Sequence, residues 1–254
     1  MFLAGILLDN YTNQVQINKC SATNNHIGLY TIGPKTTIWS CKQSNWRQND
    51  IGVRIECGML VQAENCVIES NNSYGMEIYA RANTSFFNYF NFKALWFENN
   101  CYQSNDRYAL YIHSEMSSPY PAYVRFEQCS FGASTDAQSC INIQRAVFVT
   151  FDECGFSCSD PDRDIVLGAG AVGTSFKNNC YLLPADIGTK GTNTVVLNTG
   201  TGGIGTGVAP PVSGSYSVGD VVWNSAPSPG GNVGWVCITA GAPGTWKAFG
   251  TIAN

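Results

Sequence analysis

Charge is scarce in this chain of 254 residues: 13% are Asp, Glu, Lys or Arg, and the net charge is −4. No basic run or patch appears, which argues against nucleic acid as a partner. Apolar runs are short. Met1-Phe2-Leu3-Ala4-Gly5-Ile6-Leu7-Leu8 is too brief to span a membrane, and it lacks a basic leader and a small-residue cleavage site. It reads as a coil cut short, as at the start of a fragment or of one module in a longer protein. No helical period of useful length is present. Nor is there a nucleophile elbow, a phosphate-binding glycine loop or a metal-protease motif. With two histidines and no C-x-x-C, the Cys154/Cys158 pair is a poor zinc signal. The acidic run Ser159-Asp160-Pro161-Asp162-Arg163-Asp164 misses the calcium-loop pattern. Ile165 stands where that loop needs Gly, and Ala171 where it needs Glu. No cofactor and no metal is expected.

What the chain has instead is a repeat. Val124-Arg125-Phe126-Glu127-Gln128-Cys129 returns as Val149-Thr150-Phe151-Asp152-Glu153-Cys154 and as Thr174-Ser175-Phe176-Lys177-Asn178-Asn179-Cys180. Cys20, Cys41, Cys66 and Cys101 read as the same unit upstream, with steps of 21, 25, 35, 28, 25 and 26 residues along the seven cysteines. Periods in this range mean stacked units that bury a core only together. Some way after each Cys comes an alternating segment. The series is Gly28-Leu29-Tyr30, Gly52-Val53-Arg54-Ile55-Glu56, Gly75-Met76-Glu77-Ile78-Tyr79, Ala109-Leu110-Tyr111-Ile112-His113 and Cys140-Ile141-Asn142-Ile143-Gln144. Asp164-Ile165-Val166-Leu167 and Thr194-Val195-Val196-Leu197 follow more loosely. Period-two alternation marks half-buried strands. The expected fold class is therefore all-β: a parallel β-helix of about seven coils, one coil per repeat.

Asn-Cys turns, stacked Phe/Ile positions and coils of this length resemble the right-handed parallel β-helices of the pectate-lyase-like superfamily, over roughly residues 1-200. That superfamily includes polysaccharide lyases, glycoside hydrolases and phage tailspikes, so the resemblance speaks more for fold than for chemistry. Half of the glycines fall in residues 200-254, and residues 201-254 read as a Gly-rich linker and a small C-terminal β module. Its ending resembles modules that close β-helical tail proteins, with a capping or trimerising role. Trp223, Trp235 and Trp246 read either as its core or as sugar platforms.

Three side-chain patterns carry expectations. Seven cysteines in one phase should stack as a buried ladder of reduced thiols, because strands ~4.8 Å apart hold Cβ atoms too far apart for disulfides. The insertion around Ala80-Phe92, with Phe86, Phe87, Tyr89, Phe90 and Phe92, reads as cover for an apolar flank, a subunit contact or a sugar platform. Tyr120 and Tyr123 belong to a loop expected nearby. Glu64, Glu98, Glu127 and Asp152, then Lys177, form a candidate column of four stacked acids ending on a lysine, read as a solubilising sheet face, a cation site or a second groove.

The candidate site follows from the alternation. If Val53, Met76, Leu110 and Ile141 point inward, then Arg54, Glu77, Tyr111 and Asn142 form one outward column, and Glu56, Tyr79, His113 and Gln144 the next. Glu56 and Glu77, roughly 8 Å apart between Cα atoms from strand rise and spacing, suit an inverting hydrolase with a water between them. Tyr79 or His113 could instead abstract a proton beside a uronate carboxylate that Arg54 neutralises, giving β-elimination. A solvated polar face without catalysis is the third reading. Glu56, Glu77, Tyr79 and His113 are thus candidate catalytic groups, and Arg54, Tyr111, Asn142 and Gln144 candidate substrate-binding groups. The resemblance implies a tailspike-like protein, on a virion tail or extracellular. It would act on a bacterial surface polysaccharide as a hydrolase, a lyase or a binder without turnover, and assemble as a homotrimer.

Overall fold

The computed structural model describes residues 3–33, 36–81, 87–101, 108–115, 121–133, 139–157, 165–177, 180, 187–189, 195–196, 206–212, 216 and 218–253. Among them every regular element is a strand. They form a parallel β-solenoid of about six turns and a small C-terminal sheet. Each turn has three sides. The first side stacks β1 (Ala4–Leu8), β4 (Ile27–Thr31), β7 (Ile51–Ile55), β10 (Tyr74–Ala80), β13 (Tyr108–Ser114), the first part of β16 (Ser139–Asp152) and β18 (Ile165–Val172). The second stacks β2 (Val15–Asn18), β5 (Trp39–Lys42), β8 (Gly58–Glu64), β11 (Phe87–Lys93), β14 (Ala122–Glu127), the end of β16 and β19 (Ser175–Lys177). The third is short: β3 (Ser21–Thr23), β6 (Asn45–Arg47), β9 (Val67–Glu69), β12 (Trp96–Asn100), β15 (Ser130–Ala133) and β17 (Gly155–Ser157). Six strands on the third side account for six turns rather than about seven. The turn after Cys180 lies mostly outside the described residues.

The alternating segments all lie on the first side except the last. Val195 and Val196 (β21) pair with β19 on the second side, whereas β20 (Ile187–Thr189) continues the first. Inward positions keep register from coil to coil, so like side chains stack. On the second side Phe92, Phe126, Phe151 and Phe176 run as one column with ring centroids 5.0, 5.2 and 5.1 Å apart. Phe97, Phe131 and Phe156 stack on the third side, and Phe131 meets Phe126 edge-on. Each such pair is worth roughly 0.5–1.5 kcal/mol beyond area burial. In the N-terminal coils Trp39 and Trp46, both buried, fill the same volume. Phe90 and Phe92 of the aromatic insertion are thus core, while Tyr89 faces solvent. Phe86, Tyr120 and the side chain of Phe87 lie outside what is described.

The cysteine ladder is real but shorter than the spacing implied. Cys20, Cys66, Cys129 and Cys154 each point Sγ at the carbonyl two residues back, at 3.4 Å. Cys66, Cys129, Cys154 and Cys180 also donate to the inward-facing residue of the preceding coil, at 3.5–3.7 Å. Cys41 departs from the phase. It pairs in register with Ile17 and Ala63, in the phenylalanine column, and Ser44 holds the turn position of that coil. Leu95 does the same where Cys101 was expected, and Cys101 itself follows Asn100 at the next corner. Cys140 is disulfide-bonded, to a partner outside the described residues, and nine cysteines are free. Burial pushes the Cys57 thiol up to about 11, and Cys129 beside it pushes Cys154 up to about 12. Thiol titration under denaturation without reductant is therefore expected to count nine groups, rising to the full eleven after reduction. Native protein should react at few of them. A count of three or fewer before reduction would overturn the reduced ladder.

A second ladder, of asparagine, had no counterpart in the sequence reading. Asn25, Asn49, Asn71 and Asn100 are buried at the corner between the third and first sides. Each Oδ1 accepts from the backbone N–H of the asparagine one coil earlier: Asn49 for Asn25 at 3.0 Å, Asn71 for Asn49 at 3.0 Å, Asn100 for Asn71 at 3.2 Å. The Nδ2 groups of Asn49, Asn71 and Asn100 donate back to the carbonyls of Ala22, Trp46 and Ile68. The glycine that opens three of the alternating strands, Gly28, Gly52 and Gly75, is a consequence, and Ala109 and Cys140 take the same position in the next two coils. A Cβ on Gly28 would sit 2.5 Å from the Gly52 carbonyl and 2.8 Å from Asn49 Nδ2.

The candidate acid column is corrected by register. Lys93, not Glu98, pairs with Glu64 and Glu127, so the column reads Lys42, Glu64, Lys93, Glu127, Asp152, Lys177. Glu98 pairs with Glu69 on the third side. Apart from the neighbours Glu127 and Asp152 the charges alternate, and they pair, Lys42 to Glu64 at 2.9 Å and Lys93 to Glu127 at 2.7 Å. Lys42 holds the Glu64 carboxyl below its usual range, and Glu127 raises the Lys93 ammonium.

The C-terminal sheet runs β22 (Thr206–Gly207), β23 (Val221–Asn224), β24 (Asn232–Thr239) and β25 (Thr245–Thr251). The last three are antiparallel. Trp235 is in its core with Val222 and Cys237, whereas Trp223 is half-exposed and meets Phe249 edge-on.

Candidate functional site

Parallel pairing on the first side brings the eight candidate residues onto one face. Register places Tyr30, Arg54, Glu77, Tyr111 and Asn142 in one column. Tyr79 pairs with His113 two residues further along, with Glu56 and Gln144 flanking them one position beyond Ile55 and Ile143. The face is not the open one expected: Glu56 is 2% exposed and Glu77 4%, and Tyr79 and Asn142 are buried too. The cause is the pitch of the solenoid. Long side chains one strand spacing apart lie flat on their neighbours and cover the carboxylates between them.

Arg54 sits between the two acids. Its Nε lies 2.8 Å from Glu56 Oε1 and 3.3 Å from Glu77 Oε2, charge contacts without hydrogen-bond alignment. Arg81 reaches Glu56 Oε2 at 3.4 Å. Because both carboxylates touch one nitrogen, their nearest oxygens are about 6 Å apart or less. The guanidinium therefore occupies the space where an inverting hydrolase keeps its water. Two arginines against two glutamates also leave little net positive charge for a uronate carboxylate.

The aromatic side chains form a stack that the alternation alone did not show. The His113 ring lies between Tyr79 and Tyr111, with centroids at 4.4 and 4.1 Å and planes within 14° and 11°. Tyr111 continues to Tyr74 at 5.4 Å and Tyr108 at 5.1 Å. The Arg54 guanidinium carbon lies 5.2 Å from the Tyr79 ring centroid and 5.9 Å from that of Tyr30. Tyr30 and Tyr74, which belong to the site, were legible as the positions aligned with Arg54 and Tyr108.

The protonation chemistry narrows the roles. Burial, and then the Glu56 carboxylate, push the Tyr30 phenol up to about 12. Burial and the Glu115 carboxylate raise Tyr79 as well. Both phenols stay protonated at neutral pH, so Tyr79 can donate a proton but does not serve as a base. His113 differs. Its Nε2 is 2.8 Å from Glu77 Oε1, and since a carboxylate only accepts, Nε2 carries the hydrogen. The side chain is partly open, at 20% exposure. A carboxylate orienting an imidazole is the usual arrangement of a general base. Gln144 donates to Asn142 at 2.6 Å and closes the face on the C-terminal side. Among the described residues no cluster of His, Cys, Asp or Glu has the geometry of a metal site. Comparison with family models, with curated proteins and with solved structures finds no match to this chain.

Proposed function

We propose that this chain is a tailspike-like β-helical protein that binds a bacterial surface polysaccharide along the first side of the solenoid. In this reading His113, oriented by Glu77, acts as the acid–base group on the bound glycan. The observation that carries it is the stacked Tyr79–His113–Tyr111 array beside a carboxylate-anchored imidazole. The rings cover one another's faces, so a glycan would meet their edges and polar tips, and the His113–Glu77 dyad stands beside that edge as the acid–base group. Tyr79 serves as proton donor, while Arg54, Tyr111, Asn142 and Gln144 line the groove. A reading of binding without turnover is favoured by one feature: Arg54 occupies both carboxylates and leaves no water slot between them.

The test is a panel of capsular and lipopolysaccharide glycans, read by binding, by new reducing ends and by ultraviolet absorbance of an unsaturated uronate. Wild type is expected to bind at least one glycan, and Tyr111→Ala to weaken that binding about tenfold or more. His113→Ala should bind normally but release no product. Binding by wild type with no product assigns the non-catalytic reading. Failure to bind any member, in a folded protein, removes the glycan reading.

A further inference from the structure

Cys41 sits out of step with the other cysteines, and that displacement brings two sulfurs together. It occupies the inward column of the second side, where the neighbouring coils carry Ile17 and Ala63. Cys66 occupies the turn position one coil on, which Ser44 holds in the coil of Cys41. The two side chains therefore meet diagonally across the coil boundary rather than rung over rung. Cys41 Sγ lies 3.5 Å from Cys66 Sγ, and Cys66 Sγ lies 3.7 Å from the Cys41 carbonyl. Both residues are buried. A strand spacing of about 4.8 Å argues against disulfides between cysteines that stack in phase. That objection does not reach this pair.

Two features set the pair apart from an ordinary core contact. One is room. Cys41 and Ala63 stand in the column that Phe92, Phe126, Phe151 and Phe176 fill further along. Beside them is a cavity of about 10 Å³, lined by Cys41, Cys66 and apolar side chains that include Trp39, Trp46, Met76 and Phe92. Bonded sulfurs stand ~2.05 Å apart, so a pair at 3.5 Å must close by about 1.5 Å. The unfilled space leaves the side chains free to make that shift. The other feature is asymmetry. When Cys66 ionises, the Cys41 thiol donates to it and the Ser44 backbone N–H acts the same way. Together they hold Cys66 below the ordinary thiol range, while Cys66 and burial push Cys41 up.

We propose that Cys41 and Cys66 form an oxidation site, which a small peroxide converts into a disulfide linking two successive coils. Cys66 is the attacking group and Cys41 the resolving one. The Cys66 thiolate attacks one oxygen of hydrogen peroxide and the O–O bond breaks. The departing hydroxide takes up the proton that Cys66 released, leaving water and a sulfenic acid. The Cys41 sulfur then attacks the sulfenic sulfur. The S–O bond breaks, and the hydroxide leaves as water with the Cys41 proton. One peroxide gains two electrons, the two thiols lose them, and two waters form. A peroxide is small enough to reach a buried pair through local opening, where a disulfide the size of oxidised glutathione is not. The new bond joins residues 25 apart, so it closes one full turn of the solenoid. Neither cysteine lies on the first side, so the oxidation stands apart from glycan binding.

Treating the native protein with hydrogen peroxide, quenching it and counting thiols after denaturation tests the site. Of the nine free thiols two are expected to be lost, leaving seven. Cleavage after lysine and glutamate separates Cys66 from Cys57, and should release Cys41 and Cys66 in one disulfide-linked pair of peptides. Two variants divide the roles, each with a precedent in a neighbouring coil. Ala63 stands in the column of Cys41 and Ser44 at the turn position of Cys66, so Cys41→Ala and Cys66→Ser use side chains the solenoid already accepts. Cys41→Ala is expected to accumulate a Cys66 sulfenic acid, trapped by denaturing in dimedone, at least about tenfold above wild type. Cys66→Ser should form no disulfide and give no adduct at Cys41. Should either variant fail to fold, the wild-type peptide map still decides. A native count that stays at nine, or a new disulfide between other cysteines, overturns the proposal. Equal trapping at Cys41 in Cys66→Ser overturns the assignment of Cys66 as the attacking group.

Discussion

Asn71→Ala is expected to cost the solenoid about 4 kcal/mol, the sum of two or three buried polar groups left without partners. Asn71 Oδ1 accepts from the backbone N–H and the side-chain amide of Asn49, at 3.0 and 3.3 Å. Its Nδ2 donates to the Trp46 carbonyl at 3.0 Å and to Asn100 Oδ1 at 2.8 Å. Removing the amide orphans the Asn49 N–H and the Trp46 carbonyl in a corner that water does not reach. It also breaks the chain of amides in the middle. The damage should not stay local, because each coil of a solenoid is stabilised mainly by its neighbours. Denaturant unfolding is therefore expected to shift to lower midpoint, and amide exchange to rise first from Asn25 to Asn100. A loss under about 1 kcal/mol would falsify the view that the ladder holds these coils together.

Arg54→Met is the second large effect, at about 3–5 kcal/mol. Methionine replaces the stem of the arginine but not its charge. Glu56 and Glu77 are then left as two buried carboxylates, with Arg81 and His113 as their remaining partners. Removing one member of a buried ion pair costs more than removing the whole group, since the survivor keeps its desolvation penalty. The triple variant Arg54→Met/Glu56→Gln/Glu77→Gln should accordingly recover most of the loss. Thermal melts of the two variants and wild type decide the matter. If the triple variant melts below the single one, the arginine is not there to compensate the two acids.

The parts of this structure legible in the sequence were those set by strict alternation. Gly52-Val53-Arg54-Ile55-Glu56 and Gly75-Met76-Glu77-Ile78-Tyr79 fix which side chains share a face, because a strand has a period of two and parallel neighbours keep register. That was enough to bring Arg54, Glu56, Glu77, Tyr79, Tyr111 and His113 together. It said nothing of how they are covered, since that depends on rotamers and on Arg81, which reaches Glu56 from beyond the end of β10. The cysteine reading failed at Cys41 and Cys101 because spacing alone does not distinguish a turn position from the inward position three residues before it, or from one after the next corner. Ser44 and Leu95, which hold the ladder in those coils, share no chemistry with cysteine. The column of acids failed for a related reason. Lys93 and Glu98 both follow a phenylalanine, and only the strand pairing tells which belongs beside Glu64. The asparagine ladder was countable in advance, as Asn25, Asn49 and Asn71 each precede the glycine of an alternating strand by three or four residues. Asparagine in a turn is so common that position alone gives it no weight.

The two ladders differ in how they tolerate a change of length. Successive asparagines are separated by 24, 22 and 29 residues. Successive members of the phenylalanine column are separated by 34 residues and then by 25 and 25. Neither ladder notices these differences, because the described residues keep their coil-to-coil register whatever the number of residues between them. Inheritance can therefore act on this chain in two currencies. Loops can grow or shrink residue by residue without disturbing any axial contact. The stacked frame changes only by a whole coil, whose gain or loss joins asparagine to asparagine and ring to ring across the seam. A chain of this kind can vary its reach along the axis by duplication within the gene, while the side that carries Tyr79 and His113 keeps facing the same way.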